Sequence, residues 1–256
     1  MIGNITFNNY KNIQNKQNPT FSGKSFVRVK LFDETFLVPK AVANVRRSVK
    51  YVFAEDNNNC YMSNAVNLRD KMFLGIAHFY DCLKKVSEIT IGKIYKNKKE
   101  TNCSVNIVKK NIKNKKLDLG IFNIEVPKKG QFAKSTPIKI AEAPPQKGET
   151  VYIVGYHSDF KEPKTIPATY KGLSKTSIAN NEEYGASAEY LEITSDILKN
   201  RVNPTCLSGA AIVNKKGELI GIQGKGMLTY GKSDGTLFGI SIDTVKKYFK
   251  EVNISI

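Results

Sequence analysis

Residues 203–223 read NPTCLSGAAIVNKKGELIGIQ. Two short apolar and β-branched runs, Ala210–Val213 and Glu218–Gln223, flank the polar turn Asn214-Lys215-Lys216-Gly217. Runs of this length on either side of such a turn predict a β-hairpin. Ser208-Gly209 stands immediately before it.

Working outward, the same grammar repeats. Val151–Gly155, Ile166–Ile178, Tyr190–Thr194 and Thr236–Ile240 are further strand candidates. In Ser241–Val252, Val245, Tyr248, Phe249 and Val252 fall at i, i+3, i+4 and i+7, which predicts a closing helix with Asp243 as its N-cap. Ala141–Thr150, with Pro144-Pro145 and Gly148, suits neither a helix interior nor a central strand and marks an internal boundary. Before it lie a hairpin over Ser25–Val38 and runs at Val49–Ala54, Tyr61–Leu68, Lys71–Ile76, Val86–Tyr95, Ser104–Val108 and Leu117–Val126. Many short strands with regular turns predict an all-β fold, and two sets of similar size suit two barrels, with helix only at the C-terminus.

Composition sets the outer limits. A hydrophobic content of 41% over 256 residues is enough for a sizeable core and too high for a disordered chain. No stretch approaches the roughly 18 apolar residues of a membrane-spanning helix. Residues 1–24 are rich in Asn and Gln and lack the apolar run of a secretory signal, so they read as a mobile tail, and the compartment is left open with the cytoplasm as the default. The net charge of +17 is spread along the sequence without an aromatic-interleaved basic motif, which argues for solvated lysines and against a nucleic-acid partner. Cys60, Cys82, Cys103 and Cys206 form no CxxC pair, and with two histidines in the chain no metal or other cofactor is expected.

Three segments carry chemistry when read together: FLGIAH ending in His78, KLDLGIF around Asp118, and the loop around Ser208 with its hairpin. Forty residues separate His78 from Asp118 and ninety separate Asp118 from Ser208. In composition, order and spacing they resemble the signatures of trypsin-like serine peptidases. KGETVYIVG, ending at Gly155, is similar to the strand opening that family's second barrel, and FGISIDTVKKYF, ending at Phe249, resembles the last strand and helix of HtrA-type bacterial peptidases. The resemblance spans roughly residues 45–250.

It implies a chymotrypsin-like fold of two six-stranded antiparallel β-barrels with a C-terminal helix. Residues 25–140 would carry His78 and Asp118, and residues 141–256 would carry Ser208 and the helix, together forming one catalytic unit. The implied activity is hydrolysis of a polypeptide substrate through an acyl-enzyme. His78 serves as base, Asp118 fixes its tautomer from a setting of apolar neighbours, and Ser208 is the nucleophile. Backbone N–H groups of Cys206 and Ser208 would form the oxyanion hole. Val202, Lys225 and Gly226 would line the primary pocket, with Val202 at its base favouring a small or medium apolar residue. His157, a second candidate base, reads as exposed in a Gly/Ser/Asp loop.

The pattern has departures. Cys206, Leu207 and Ala210 stand where the family's loop has Gly, Asp or Asn, and Gly. Gly75 replaces a Ser or Thr, and Gly224 replaces a Ser that supports the Asp. They leave open a second function, a catalytically weak or inactive protease fold that binds peptides or proteins.

Overall fold

The structure is a computed structural model that describes residues 25–55, 60–69, 71–82, 88–93, 101–125, 135–157, 163–174, 184–199, 207–229 and 232–255. It opens with a two-stranded hairpin, β1 (Phe26–Leu31) and β2 (Glu34–Pro39), followed by a five-residue helix α1 (Lys40–Asn44). Six strands then close a barrel: β3 (Val49–Glu55), β4 (Cys60–Arg69), β5 (Met72–Ile76), β6 (Glu88–Lys93), β7 (Thr101–Asn114) and β8 (Leu119–Glu125), in the order β3-β4-β5-β8-β7-β6. A one-turn helix α2 (Ala77–Cys82) follows β5 directly.

Six more strands form a second closed barrel: β9 (Thr150–Gly155), β10 (Lys164–Ser174), β11 (Tyr190–Thr194), β12 (Ala211–Val213), β13 (Leu219–Thr229) and β14 (Lys232–Ser241), ordered β10-β11-β14-β13-β12-β9. All ladders within the barrels are antiparallel. Helix α3 (Ile242–Glu251) closes the chain. The expected all-β, two-barrel fold with a terminal helix is the fold observed.

The period-2 pleat explains why β9 and β12 read as unbroken apolar runs. Val151, Ile153 and Ile212 join one buried cluster, while their neighbours Tyr152, Val154, Ala211 and Val213 join another that continues through the first barrel. The N-terminal hairpin is shared in the same way. Leu31 packs into the cluster confined to the second barrel, and Val29 and Val38 join the larger cluster that runs through both barrels.

Two local expectations are corrected. Helix is not confined to the C-terminus, since α1 and α2 also form; five or six residues are too few to display a helical period. The cap of α3 is Ser241, whose side chain accepts the Thr244 N–H at 3.2 Å, while Asp243 lies inside the first turn, where its charge favours the helix dipole.

Candidate active site

The ladder between β5 and β8 pairs Gly75 with Gly120 and Ile76 with Leu119. That register sets the next residue of one strand, Ala77, beside Asp118, whose carbonyl accepts the Ala77 N–H at 3.1 Å. Asp118 ends a short turn over Lys115–Leu117 that the Asn114 side chain caps by accepting the Leu117 N–H. Its backbone is left-handed, φ 54° and ψ 36°, a conformation that Asp tolerates better than most residues. The reversal turns its side chain back toward α2.

There the carboxylate meets His78. Asp118 Oδ2 lies 2.8 Å and Oδ1 3.1 Å from His78 Nδ1, and Oδ1 also accepts the His78 main-chain N–H at 3.0 Å. Asp118 is 0% exposed among buried Leu117, Leu119 and Ile121, so these bonds offset the cost of burying a charge. Its field reaches two neighbours on the second barrel. Burial, and then the Asp118 charge, pushes the Tyr190 hydroxyl up to about 12. Burial lowers the Lys225 ammonium, with the Asp118 charge opposing.

The His78 ring has an aromatic wall in Tyr184, whose ring stands edge-on to it at 6.1 Å. The Tyr184 hydroxyl donates to Asp81, one helical turn beyond His78, and Asp81 also pairs with Lys113 and with Lys115 at 2.9 Å. Desolvation opposes ionisation of Asp81, but the hydrogen bonds from Lys113, Tyr184 and Lys115 outweigh it and hold the carboxyl well below the usual carboxylate range. Lys225 Nζ donates to the Tyr184 carbonyl at 3.2 Å, fixing this wall from the second barrel.

Ser208 lies in the turn before β12, half-buried, with its hydroxyl 3.5 Å from the Gly224 carbonyl. The Asn64 N–H bonds the Ser208 carbonyl at 2.8 Å. Gly209 has φ +79°, and a Cβ there would lie 2.0 Å from the Asn64 carbonyl oxygen; on Gly75, three residues before His78, a Cβ would lie 3.6 Å from the same oxygen. The Ser208 loop and the strand leading to His78 therefore flank one carbonyl of β4.

The family described as trypsin-like peptidase domain matches residues 63–222. The chain belongs to this family. No curated protein matches it in sequence. Among solved structures it is similar to the active form of the Rv3671c protease from M. tuberculosis, at 15% identity and TM-score 0.61, covering 89% of this chain and 95% of that one. HtrA-type protease AlgW with a tripeptide gives 15% identity and TM-score 0.62, covering 83% and 62%. Deg5 gives 16% identity and TM-score 0.58, covering 84% and 94%.

Two departures of this trypsin-like peptidase chain from the family pattern have physical causes. Gly75 and its partner Gly120 make room for Tyr80, since a Cβ on Gly75 would sit 2.5 Å from the Tyr80 hydroxyl and one on Gly120 2.4 Å from its ring. The methyl of Ala210 occupies space left by Gly155, where a Cβ would lie 2.5 Å away. At Gly224 nothing forbids a side chain, as the nearest atom to a Cβ there is the Phe238 carbonyl oxygen at 3.5 Å.

Among the expected site residues, Lys225 and Gly226 lie on β13, while Val202 and Cys206 fall outside the described residues. His157 is corrected: just past β9, it is 6% exposed, buried rather than on a surface loop. Tyr184 and Asp81 escaped the sequence reading; the one local signal was Asp81 at i+3 from His78. Among the described residues no three His, Cys, Asp or Glu side chains gather as a metal would require, and no helix is long and apolar enough to cross a membrane.

Proposed function

We propose that the protein is a serine endopeptidase that cleaves polypeptides through an acyl-enzyme, with His78, Asp118 and Ser208 as its triad. The observation that carries this reading is the fully buried Asp118 carboxylate bonded to His78 through both ring and main chain. With Nδ1–H donated to Asp118, Nε2 is left as an acceptor for the Ser208 proton. As that proton moves to Nε2, Ser208 Oγ bonds to the scissile carbonyl carbon. The imidazolium then protonates the departing amine as the C–N bond breaks, and water, activated by the same nitrogen, hydrolyses the ester.

Main-chain N–H groups of Ser208 and Cys206 receive the oxyanion, a contribution of about 3–4 kcal/mol in enzymes of this chemistry. Val202, Lys225 and Gly226 line the pocket for the residue preceding the cleaved bond, and the apolar Val202 selects small or medium apolar side chains. Residues 25–140 and 141–256 act as one catalytic unit, the first supplying base and carboxylate and the second the nucleophile.

A fluorophosphonate probe tests the assignment, because it reacts with activated serines. Labelling of the wild type that disappears in both His78→Ala and Ser208→Ala, together with cleavage of casein, is the expected result. A folded wild type that neither labels nor cleaves, yet captures peptides, would replace this reading with that of a peptide-binding module.

A further inference from the structure

Asn64 interrupts the apolar run of β4, is 2% exposed, and uses its whole side chain across the contact between the barrels. Its Oδ1 accepts the Tyr156 N–H at 2.6 Å, and its Nδ2 donates to the Tyr156 carbonyl at 3.1 Å. Tyr156 immediately follows β9, so the amide pairs with the second barrel as a short piece of strand would. Nδ2 also lies 3.3 Å from the Ser208 carbonyl oxygen. That oxygen takes the Asn64 main-chain N–H at 2.8 Å and the Ser63 hydroxyl at 3.0 Å as well.

Three donors thus converge on one carbonyl, two of them from Asn64. A buried primary amide costs free energy unless each of its groups is bonded, and an apolar side chain would pack a barrel contact as well. What the amide adds is a fixed separation between β4, the end of β9 and the peptide that follows Ser208. A carbonyl held from three directions does not rotate, and the Cα–Cβ bond of Ser208 keeps its direction with it.

We propose that Asn64, seconded by Ser63, is a positioning residue for Ser208, holding the 208–209 peptide so that the hydroxyl and the N–H of Ser208 stay aimed during acyl transfer. This rests on Ser208 being the nucleophile. The main-chain N–H of Asn64 survives any substitution except proline, so the side-chain share is measurable alone.

The test compares the full-length wild type with Asn64→Ala, Asn64→Asp and Ser63→Ala by thermal melt, steady-state peptide cleavage and fluorophosphonate labelling rate. Asn64→Ala, still folded at the assay temperature, should lower kcat and the labelling rate about 10–100-fold with KM within about twofold, as expected for a reacting group displaced by about 1 Å. Ser63→Ala should lower both about threefold to tenfold, the share of a single hydrogen bond. Asn64→Asp keeps the acceptor for Tyr156 but turns an oxygen toward two carbonyls, so its deficit against the wild type should widen as pH rises and the new carboxyl ionises. Folded variants with wild-type kcat, or with a raised KM at unchanged kcat, overturn the proposal while leaving the peptidase intact. Should Asn64→Ala not fold, Ser63→Ala decides, and an unchanged kcat there overturns it. A wild type without His78-dependent labelling overturns the peptidase reading and this one with it.

Discussion

Asp118 reaches His78 twice with a single oxygen: Oδ1 accepts the main-chain N–H at 3.0 Å and stands 3.1 Å from the ring Nδ1. The imidazole is therefore oriented by a carboxylate that is itself aimed by the backbone of the residue it orients. Asp118→Asn keeps the shape of the side chain but can present an N–H to Nδ1, which moves the ring proton to Nε2 and removes the acceptor for Ser208. The expected loss in kcat is about 10³–10⁴-fold, with far-UV circular dichroism unchanged. A loss below tenfold would show that the Asp118 carboxylate does not orient the base.

The Asp81 cluster makes a prediction about acid. Its folded carboxyl lies below the ordinary value, so the stability it contributes is fully present above the unfolded carboxylate pKa of about 3.9 and is lost as pH falls below it. Urea unfolding at several pH values should show the wild type more stable than Asp81→Asn at pH 7, with the gap closing continuously below about pH 4. A gap independent of pH would mean that the charge of Asp81 contributes nothing. Because Asp81 also anchors Tyr184 against His78, the variant should lose activity at neutral pH as well.

Gly209 combines a positive φ with a backbone on which a Cβ would lie 2.0 Å from the Asn64 carbonyl oxygen. Gly209→Ala must bear both the conformational strain and the steric push, together about 3 kcal/mol, and it shifts the Ser208 peptide. Denaturant titration should read the destabilisation, and the fluorophosphonate labelling rate should fall in the same variant. A neutral substitution would exclude the close approach of Gly209 to β4.

Tyr80 and Gly75 should be energetically coupled. Gly75→Ser alone must displace the Tyr80 hydroxyl and should cost about 1–3 kcal/mol. In the Tyr80→Phe background the nearest atom becomes the ring carbon at 3.3 Å, so the same substitution should cost less than half as much. A double-mutant cycle with no coupling would rule out Tyr80 as the reason for glycine here.

Much of the fold could be read because its strands are short, apolar and bounded by turn residues. Tyr190–Thr194 has the predicted ends, and Val151–Gly155 differs from β9 by one residue. Three strands run well past their expected ends: β13, expected over Glu218–Gln223, extends to Thr229, β14, expected over Thr236–Ile240, begins at Lys232, and β7, expected over Ser104–Val108, runs from Thr101 to Asn114. The part of β7 past Val108 is Lys and Asn apart from Ile112, and these carry little strand propensity; pairing of Lys113 with Gly120 and Asn114 with Leu119 imposes the extended form.

The site divides along the same line. The segments holding His78, Asp118 and Ser208 were visible as local motifs. Asn64 was not, because its partners Tyr156 and Ser208 lie 92 and 144 residues away, and contacts at such distance leave no trace in neighbouring residues. A polar Ser63-Asn64 pair in the middle of an apolar strand was the available hint. His157 was misjudged for a related reason: Gly, Ser and Asp in its surroundings signal a turn, and a turn at the end of a barrel strand can still be covered by the rest of the fold.

The hairpin formed by β1 and β2 bears on how the protein comes apart. Two closed barrels could in principle melt as separate calorimetric units. The cluster that holds Val29 and Val38 contains residues of both barrels, from Val66 and Phe73 to Tyr190 and Ile240, and Leu31 ties the hairpin to the second barrel's other cluster, so neither barrel can open without exposing apolar surface that the other was helping to cover. Heating should therefore give a single endotherm whose van't Hoff and calorimetric enthalpies agree. Removing the chain through Pro39 strips apolar cover from both clusters and should lower the melting temperature, while the core that the barrel carrying Ser208 shares with the barrel carrying His78 keeps the transition a single one.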